Sequence, residues 1–308
     1  MTLPALRVAY RSWGIYDGAN AVLVLHALSG DADCLAWWPS LIGSGRPIDP
    51  DRNFILCANA LGGCQGTTGP DDDPSEFPTI TVGDMAAVQA RLLDHLKVAR
   101  LQLAIGGSMG GMVALALAED LQERLENAFV TASAARHGAF QIAFNEVGRQ
   151  AILRDPKWRN GLYPPDDPPN DGLAVARMLG HCTFLSDAAF EAKFGRSRQA
   201  DTDEFAVESY LRYQGEKFTR RFSARSLVTL TRAIDAFDWH PARIAARVVA
   251  VGYDSDWLYP FAQAEEIVRL ARGAGAEASA HLLSLPYGHD AFLLDGDLQA
   301  ALLRDLIS

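Results

Sequence analysis

LQLAIGGSMGGMVALALAEDL, residues 101–121, is the stretch on which the fold turns. Residues 101–105 form a nearly continuous apolar run that predicts a buried strand, and the Ala- and Leu-rich run at 112–121 predicts a helix. Between them lies Gly106-Gly107-Ser108-Met109-Gly110, a Gly-x-Ser-x-Gly pattern. A chain that passes from strand to helix through so few residues must turn sharply, so the neighbours of Ser108 have to lack bulk. Gly106 and Gly110 meet that need. Such a turn lifts the serine hydroxyl above the sheet, while the helix beneath offers free N–H groups and a positive dipole to a developing oxyanion. A glycine-rich turn after a strand is often only a turn. The strand before it and the helix after it are what make Ser108 a candidate nucleophile.

Outward from this element the pattern repeats. Residues 21–28 (AVLVLHAL), 54–58 (FILCA), 246–252 (ARVVAVG) and 281–285 (HLLSL) read as further buried strands, with a helical pattern at 84–96 and another at 297–307. Alternating strands and helices imply an α/β protein with a mostly parallel central sheet. From 136 to 240 the pattern changes. Pro164, Pro165, Pro168 and Pro169 interrupt helical pieces, and strand-like runs are few. The expected organisation is a core domain of residues 1–135 and 241–308, with residues 136–240 inserted as a helical lid.

Composition narrows the function. With 308 residues, 49% of them hydrophobic and 21% charged, the chain can bury a full core. The net charge of -10 argues against nucleic acid or an anionic membrane as partner, because phosphate would be repelled, and favours small-molecule substrates. No stretch approaches the roughly 18 apolar residues of a membrane span, and residues 1–14 carry Arg7 and Arg11 without an apolar core. A cytoplasmic location is expected. The 4 cysteines, at 34, 57, 64 and 182, form no CxxC and show no zinc-like spacing with histidine, so reduced structural thiols and no metal are expected.

A serine hydroxyl needs a base, and the base needs a carboxylate to fix its tautomer. In the fold built on such an elbow the order is Ser, acid, His, which sets aside His26 and His95. His137, His181 and His240 fall in or beside the insertion, and His281 lies inside an apolar strand, where a core histidine is expected. His289, in Pro286-Tyr287-Gly288-His289-Asp290 after the last strand, remains as the base. Its acid should follow the preceding strand, where Asp254 and Asp256 both stand, and spacing favours neither. The oxyanion donors should be the Met109 amide and one from the turn His26-Ala27-Leu28-Ser29-Gly30, with Leu28 as donor.

With these residues in place, the chain resembles the homoserine O-acetyltransferase family of α/β-hydrolase-fold acyltransferases over nearly its whole length. The resemblance rests on HALSGD from His26, LGGCQGTTGP from Leu61, GGSMGGM around Ser108, ESYLRYQGEKF from Glu208, SDWLYP from Ser255 and YGHDAFL from Tyr287. It implies the α/β-hydrolase fold, Asp256 as the acid of a Ser108–Asp256–His289 triad, Arg177 as the anchor for an acceptor carboxylate and Asp290 for its amino group. A bidentate guanidinium suits a carboxylate, and an anion suits an ammonium. It also implies acetyl transfer from acetyl-CoA, as co-substrate with no tightly bound cofactor, to homoserine for methionine synthesis, by a homodimer joined through the lid.

The chain departs from the family at Thr183-Phe184, where a Thr-Tyr pair is usual. It also has a short loop after Pro70 and is shorter than typical members. The GGCQGTTGP run is more like that of acetyl-using than succinyl-using members. Lys217, Arg220 and Arg221 form the candidate basic patch for the CoA phosphates, though a solvated helix face explains them equally well. An esterase of the same fold, a succinyl donor and a serine acceptor stand as alternatives. A non-catalytic interaction protein is disfavoured by the intact triad.

Overall fold

The computed structural model describes residues 5–200, 202–295 and 297–307; residues 1–4 of the opening stretch lie outside it. Seven strands build one sheet in the order β1-β3-β2-β4-β5-β6-β7. They are β1 (Tyr10–Trp13), β2 (Ala21–Leu25), β3 (Phe54–Ala58), β4 (Leu101–Gly107), β5 (Leu125–Thr131), β6 (Arg247–Tyr253) and β7 (Ala278–Leu283). All neighbours pair in parallel except β1 with β3, so the sheet is mostly parallel, as expected.

Period-two alternation along the strands divides the core between the two faces of the sheet. Leu23, Leu25, Leu56 and Ala104 pack into one cluster, with the helices Val82–His95 and Met109–Leu121. Val22, Val24, Ile55, Leu103 and Ile105 pack into the other, with Trp38, Phe292 and the C-terminal helix Asp297–Leu306. Burial on both faces is why the central strands are continuous apolar runs.

Three elements differ from the expectation. β1 (YRSW) is an exposed antiparallel edge strand without an apolar run. β5 (LENAFVT) is buried, but Glu126 and Asn127 dilute its start. β7 lies three residues earlier than expected and forms the other edge of the sheet. His281 is therefore half-buried and meets the Ser279 hydroxyl at 3.0 Å, and it is not a core histidine.

Between β5 and β6 the chain carries the helices Ala139–Leu153, Asn170–Phe184, Asp187–Lys193, Ala206–Thr219 and Ala224–Asp235 and, among the described residues, no strand of the sheet. The first packs against the second and the last, and the second also packs against Ala206–Thr219. This segment is tied to the loops after β6 and β7. Trp257 Nε1 donates to the Leu185 carbonyl at 3.1 Å, and the Ser186 hydroxyl donates to the Pro286 carbonyl. No helix among the described residues is long and apolar enough to cross a membrane. Cys34 and Cys57 are buried free thiols, whereas Cys182 is exposed.

Only glycine fits at positions 106 and 110 of the turn that joins β4 to its helix. A Cβ on Gly110 would stand 2.0 Å from the Leu25 carbonyl oxygen, and one on Gly106 would stand 2.3 Å from the Gly110 carbonyl carbon. Both obstacles are backbone, which cannot step aside. Gly110→Ala is expected to lower stability by about 2 to 3 kcal/mol or more, read as the shift in denaturant midpoint; a shift within error would contradict this packing.

Candidate active site

Ser108 takes φ 55° and ψ -125°, a backbone conformation that side-chain-bearing residues rarely adopt. The surroundings impose it. The Ser108 amide donates to the Thr131 and Ala132 carbonyls, each at 3.1 Å, and its carbonyl accepts from Gly111 at 3.0 Å and from the Ser133 hydroxyl at 2.7 Å. The side chain is thereby held at the floor of a cavity of about 230 Å³, lined also by His289, Arg177, Asp290, Phe184 and Tyr259.

His289 sits in a one-turn 3-10 helix, Gly288–Asp290, after β7. Its Nδ1 lies 2.9 Å from Asp256 Oδ2, and both side chains are almost wholly shielded from solvent. The other oxygen, Oδ1, accepts from the Leu258 amide at 3.0 Å and the Tyr259 amide at 2.8 Å, so the carboxylate cannot swing. Ser255 bridges the two loops, accepting from the Gly288 amide at 2.9 Å and donating to the Leu285 carbonyl. Asp254 is placed elsewhere. It is exposed and closes the loop after β7 through Ser284 and the Leu285 amide. The structure thus sets Asp256, and not Asp254, against the base.

Among the described residues the amides of Met109 and Leu28 have no hydrogen-bond acceptor, and Leu28 lines the cavity. Two free N–H groups near a nucleophile are what an oxyanion hole requires. The Leu28 turn is held by buried His26, whose Nε2 accepts from the Ala60 amide at 2.9 Å while Nδ1 meets the Ala27 carbonyl at 2.8 Å. Burial pushes the His26 imidazole below its ordinary pKa, consistent with a neutral strut.

Arg177 projects from the helix Asn170–Phe184 with Nη1 3.2 Å from the Ser29 hydroxyl and its guanidinium stacked over Phe218 (4.7 Å) and Phe184 (5.3 Å). Among the described residues no carboxylate pairs with it. Burial, with Arg221 nearby, lowers its pKa to about 10, while Asp290 works in the opposite direction. The Asp290 carboxyl is raised above its usual value, chiefly by burial, against the pull of His289 and Arg177. Phe184 packs beside both Arg177 and the base, its ring 6.1 Å from that of His289. Arg221 reaches the Ser29 carbonyl at 2.8 Å, whereas Lys217 and Arg220 are simply exposed.

Sequence reasoning missed one part of the cavity wall. His137, set aside because it falls in or beside the insertion, is buried with Nε2 2.6 Å from the Tyr259 hydroxyl and Nδ1 2.8 Å from Asp235. Tyr259 stacks on His289 with ring centroids 5.0 Å apart. Tyr259 lies within the SDWLYP run, but nothing in the sequence pairs it with His137. No group of three or more His, Cys, Asp or Glu that could hold a metal ion occurs among the described residues.

If this geometry is the working one, Asp256→Asn mispositions the base and costs on the order of 10⁴ in turnover, by analogy with the serine-protease triad. Asp254→Asn is expected to cost less than about tenfold, since that carboxylate only closes a surface loop. Steady-state rates of the two proteins decide the matter, and a reversed order would reject the assignment.

Comparison with known proteins agrees with this architecture. A family model of the alpha/beta hydrolase fold matches residues 20–295. A homoserine O-acetyltransferase of Zymomonas mobilis is 44% identical over 330 residues, covering 95% of this chain and 88% of its own. The crystal structure of a homoserine O-acetyltransferase from Bacillus anthracis superposes with a TM-score of 0.89 at 21% identity, over 98% of this chain and 92% of that one. The crystal structure of esterase E22 superposes equally well, with a TM-score of 0.88 at 22% identity over 98% and 94%. At such identities the structural likeness establishes the fold alone; the sequence relationship goes further, and the chain belongs to the homoserine O-acetyltransferase family of the α/β-hydrolase fold.

Proposed function

We infer that the protein transfers an acetyl group from acetyl-CoA to the side-chain hydroxyl of L-homoserine, a step of methionine synthesis, through an acetyl-Ser108 intermediate. The observation that carries this reading is the pair Arg177 and Asp290. Two groups of opposite charge type, neither with a salt-bridge partner among the described residues, line one cavity with His289 and match the carboxylate and ammonium of an α-amino acid. Leaving either charge buried and unmatched is costly, so an uncharged ester is a poor occupant.

The charge inventory also favours acetyl over succinyl. The cavity's other guanidinium, Arg149, is already matched by Asp235 at 2.6 Å and Glu146 at 3.0 Å. Among the described arginines that line the cavity, Arg177 alone lacks a carboxylate, and the acceptor amino acid brings one.

In the first half-reaction His289 takes the Ser108 proton as the oxygen attacks the thioester carbonyl. The Met109 and Leu28 amides hold the oxyanion, and CoA leaves as the thiol with the proton from His289. The homoserine hydroxyl then repeats the sequence on the acetyl-enzyme and restores Ser108. The helices between β5 and β6 act as a lid that carries Arg177 over the triad. A cytoplasmic location and a homodimer joined through that lid complete the proposal.

Purified protein given acetyl-CoA and L-homoserine is expected to form O-acetylhomoserine, and Arg177→Met is expected to raise the homoserine KM by roughly tenfold or more. The first half-reaction never meets the amino acid, so CoA release in the absence of acceptor should change little. An unaltered homoserine KM would reject Arg177 as the carboxylate anchor.

A further inference from the structure

One residue touches the whole triad. The Tyr259 amide holds Asp256, its ring stacks on His289 at an interplanar angle of 29°, and its phenol shares the cavity floor with Ser108. The direction of its O–H bond is set from behind. Asp235 accepts from Asn145 Nδ2 at 2.7 Å, Arg149 Nη1 at 2.6 Å and His137 Nδ1 at 2.8 Å. Burial alone would raise the Asp235 carboxyl; these hydrogen bonds hold it below its usual value, so it is ionised. Arg149 matches its charge, and His137 turns the hydrogen of the Nδ1 tautomer toward it. Its Nε2 then carries a lone pair, and the Tyr259 hydroxyl must donate to it across the 2.6 Å contact. Burial keeps the phenol above its ordinary pKa, partly opposed by the neighbouring Ser108 hydroxyl, so the hydrogen stays on oxygen.

We propose that Tyr259, oriented by the Asp235–His137 pair, presents to the reaction centre an oxygen that can only accept hydrogen bonds, and that this oxygen holds the water that competes with the amino acid for acetyl-Ser108. The inference rests on the acetyl-enzyme reading above. An alcohol brings one hydrogen to the acyl carbon, and His289 takes it. Water brings two. One goes to His289 as the water oxygen attacks, and the other bonds to Tyr259 without being transferred. The tetrahedral intermediate then expels Ser108 Oγ, which recovers its proton from His289, and acetic acid departs. The balance is acetyl-enzyme plus water giving acetic acid plus free enzyme. Tyr259 thus sets how much of the acyl group is lost to hydrolysis.

The test compares the unaltered protein with Tyr259→Phe, which keeps the ring and removes the oxygen. CoA thiol and O-acetylhomoserine are measured in one reaction mixture at a fixed L-homoserine concentration, and their difference gives hydrolysis. The hydrolysis-to-transfer ratio is expected to fall about three- to tenfold, the worth of one hydrogen bond. Because the ratio is internal to each sample, loss of folded protein cancels. Should Tyr259→Phe fail to fold with His137 Nε2 left buried and unpaired, Tyr259→Phe combined with His137→Leu removes the orphan and is expected to give the same fall. An unchanged or increased ratio, with the initial CoA burst intact, overturns the role of Tyr259 while leaving the acetyl-enzyme standing. Absence of a burst in the unaltered protein overturns the acetyl-enzyme itself and this inference with it.

Discussion

Everything at the site depends on how closely the backbone of one turn approaches the strand beside it. Gly110 lies so near the Leu25 carbonyl, and Gly106 so near Gly110, that no side chain can intervene. That closeness forces Ser108 into its unfavourable φ of 55°. Such strain costs about 1 to 3 kcal/mol and persists only where the surroundings over-determine it. Here two carbonyls at the end of β5 accept from the Ser108 amide, and Ser133 caps its carbonyl. The same turn frees the Met109 amide at the head of a helix. Nucleophile and oxyanion donor are therefore consequences of a single backbone constraint.

A second organising feature is the way charge is distributed around the cavity. Asp256 is held by two amides and His289, and Asp235 by Arg149, Asn145 and His137. Arg177 and Asp290 are left without such partners, each perturbed chiefly by burial. A folded chain tolerates that imbalance most easily where a ligand completes it. The aromatic surroundings sharpen the contrast, since Phe184 and Phe218 shield the guanidinium without neutralising it.

The sequence made the doubly buried strands legible because such strands are continuous apolar runs, and Ser108 legible because glycine flanks it between two periodic segments. β1 escaped detection because an exposed edge strand needs no apolar pattern, and β5 because Glu126 and Asn127 interrupt its start. Spacing could not separate Asp254 from Asp256, since both lie in the loop after β6; only the folded arrangement turns one toward His289 and the other toward Leu285. Asp256, Arg177 and Asp290 are singled out by the family resemblance and not by spacing. His137 and Tyr259 stand 122 residues apart and meet only because the segment between β5 and β6 folds against the loop after β6. Local periodicity carries no trace of that contact.

The most direct measurement is the mass of the intact protein after brief exposure to acetyl-CoA alone, with peptide mapping of any adduct and a chase with L-homoserine. The account predicts a gain of one acetyl group on the peptide containing Ser108, discharged by homoserine as O-acetylhomoserine appears. Formation of O-acetylhomoserine from both substrates together, with no acetyl group ever detectable on the protein, would contradict it and point to direct transfer between them.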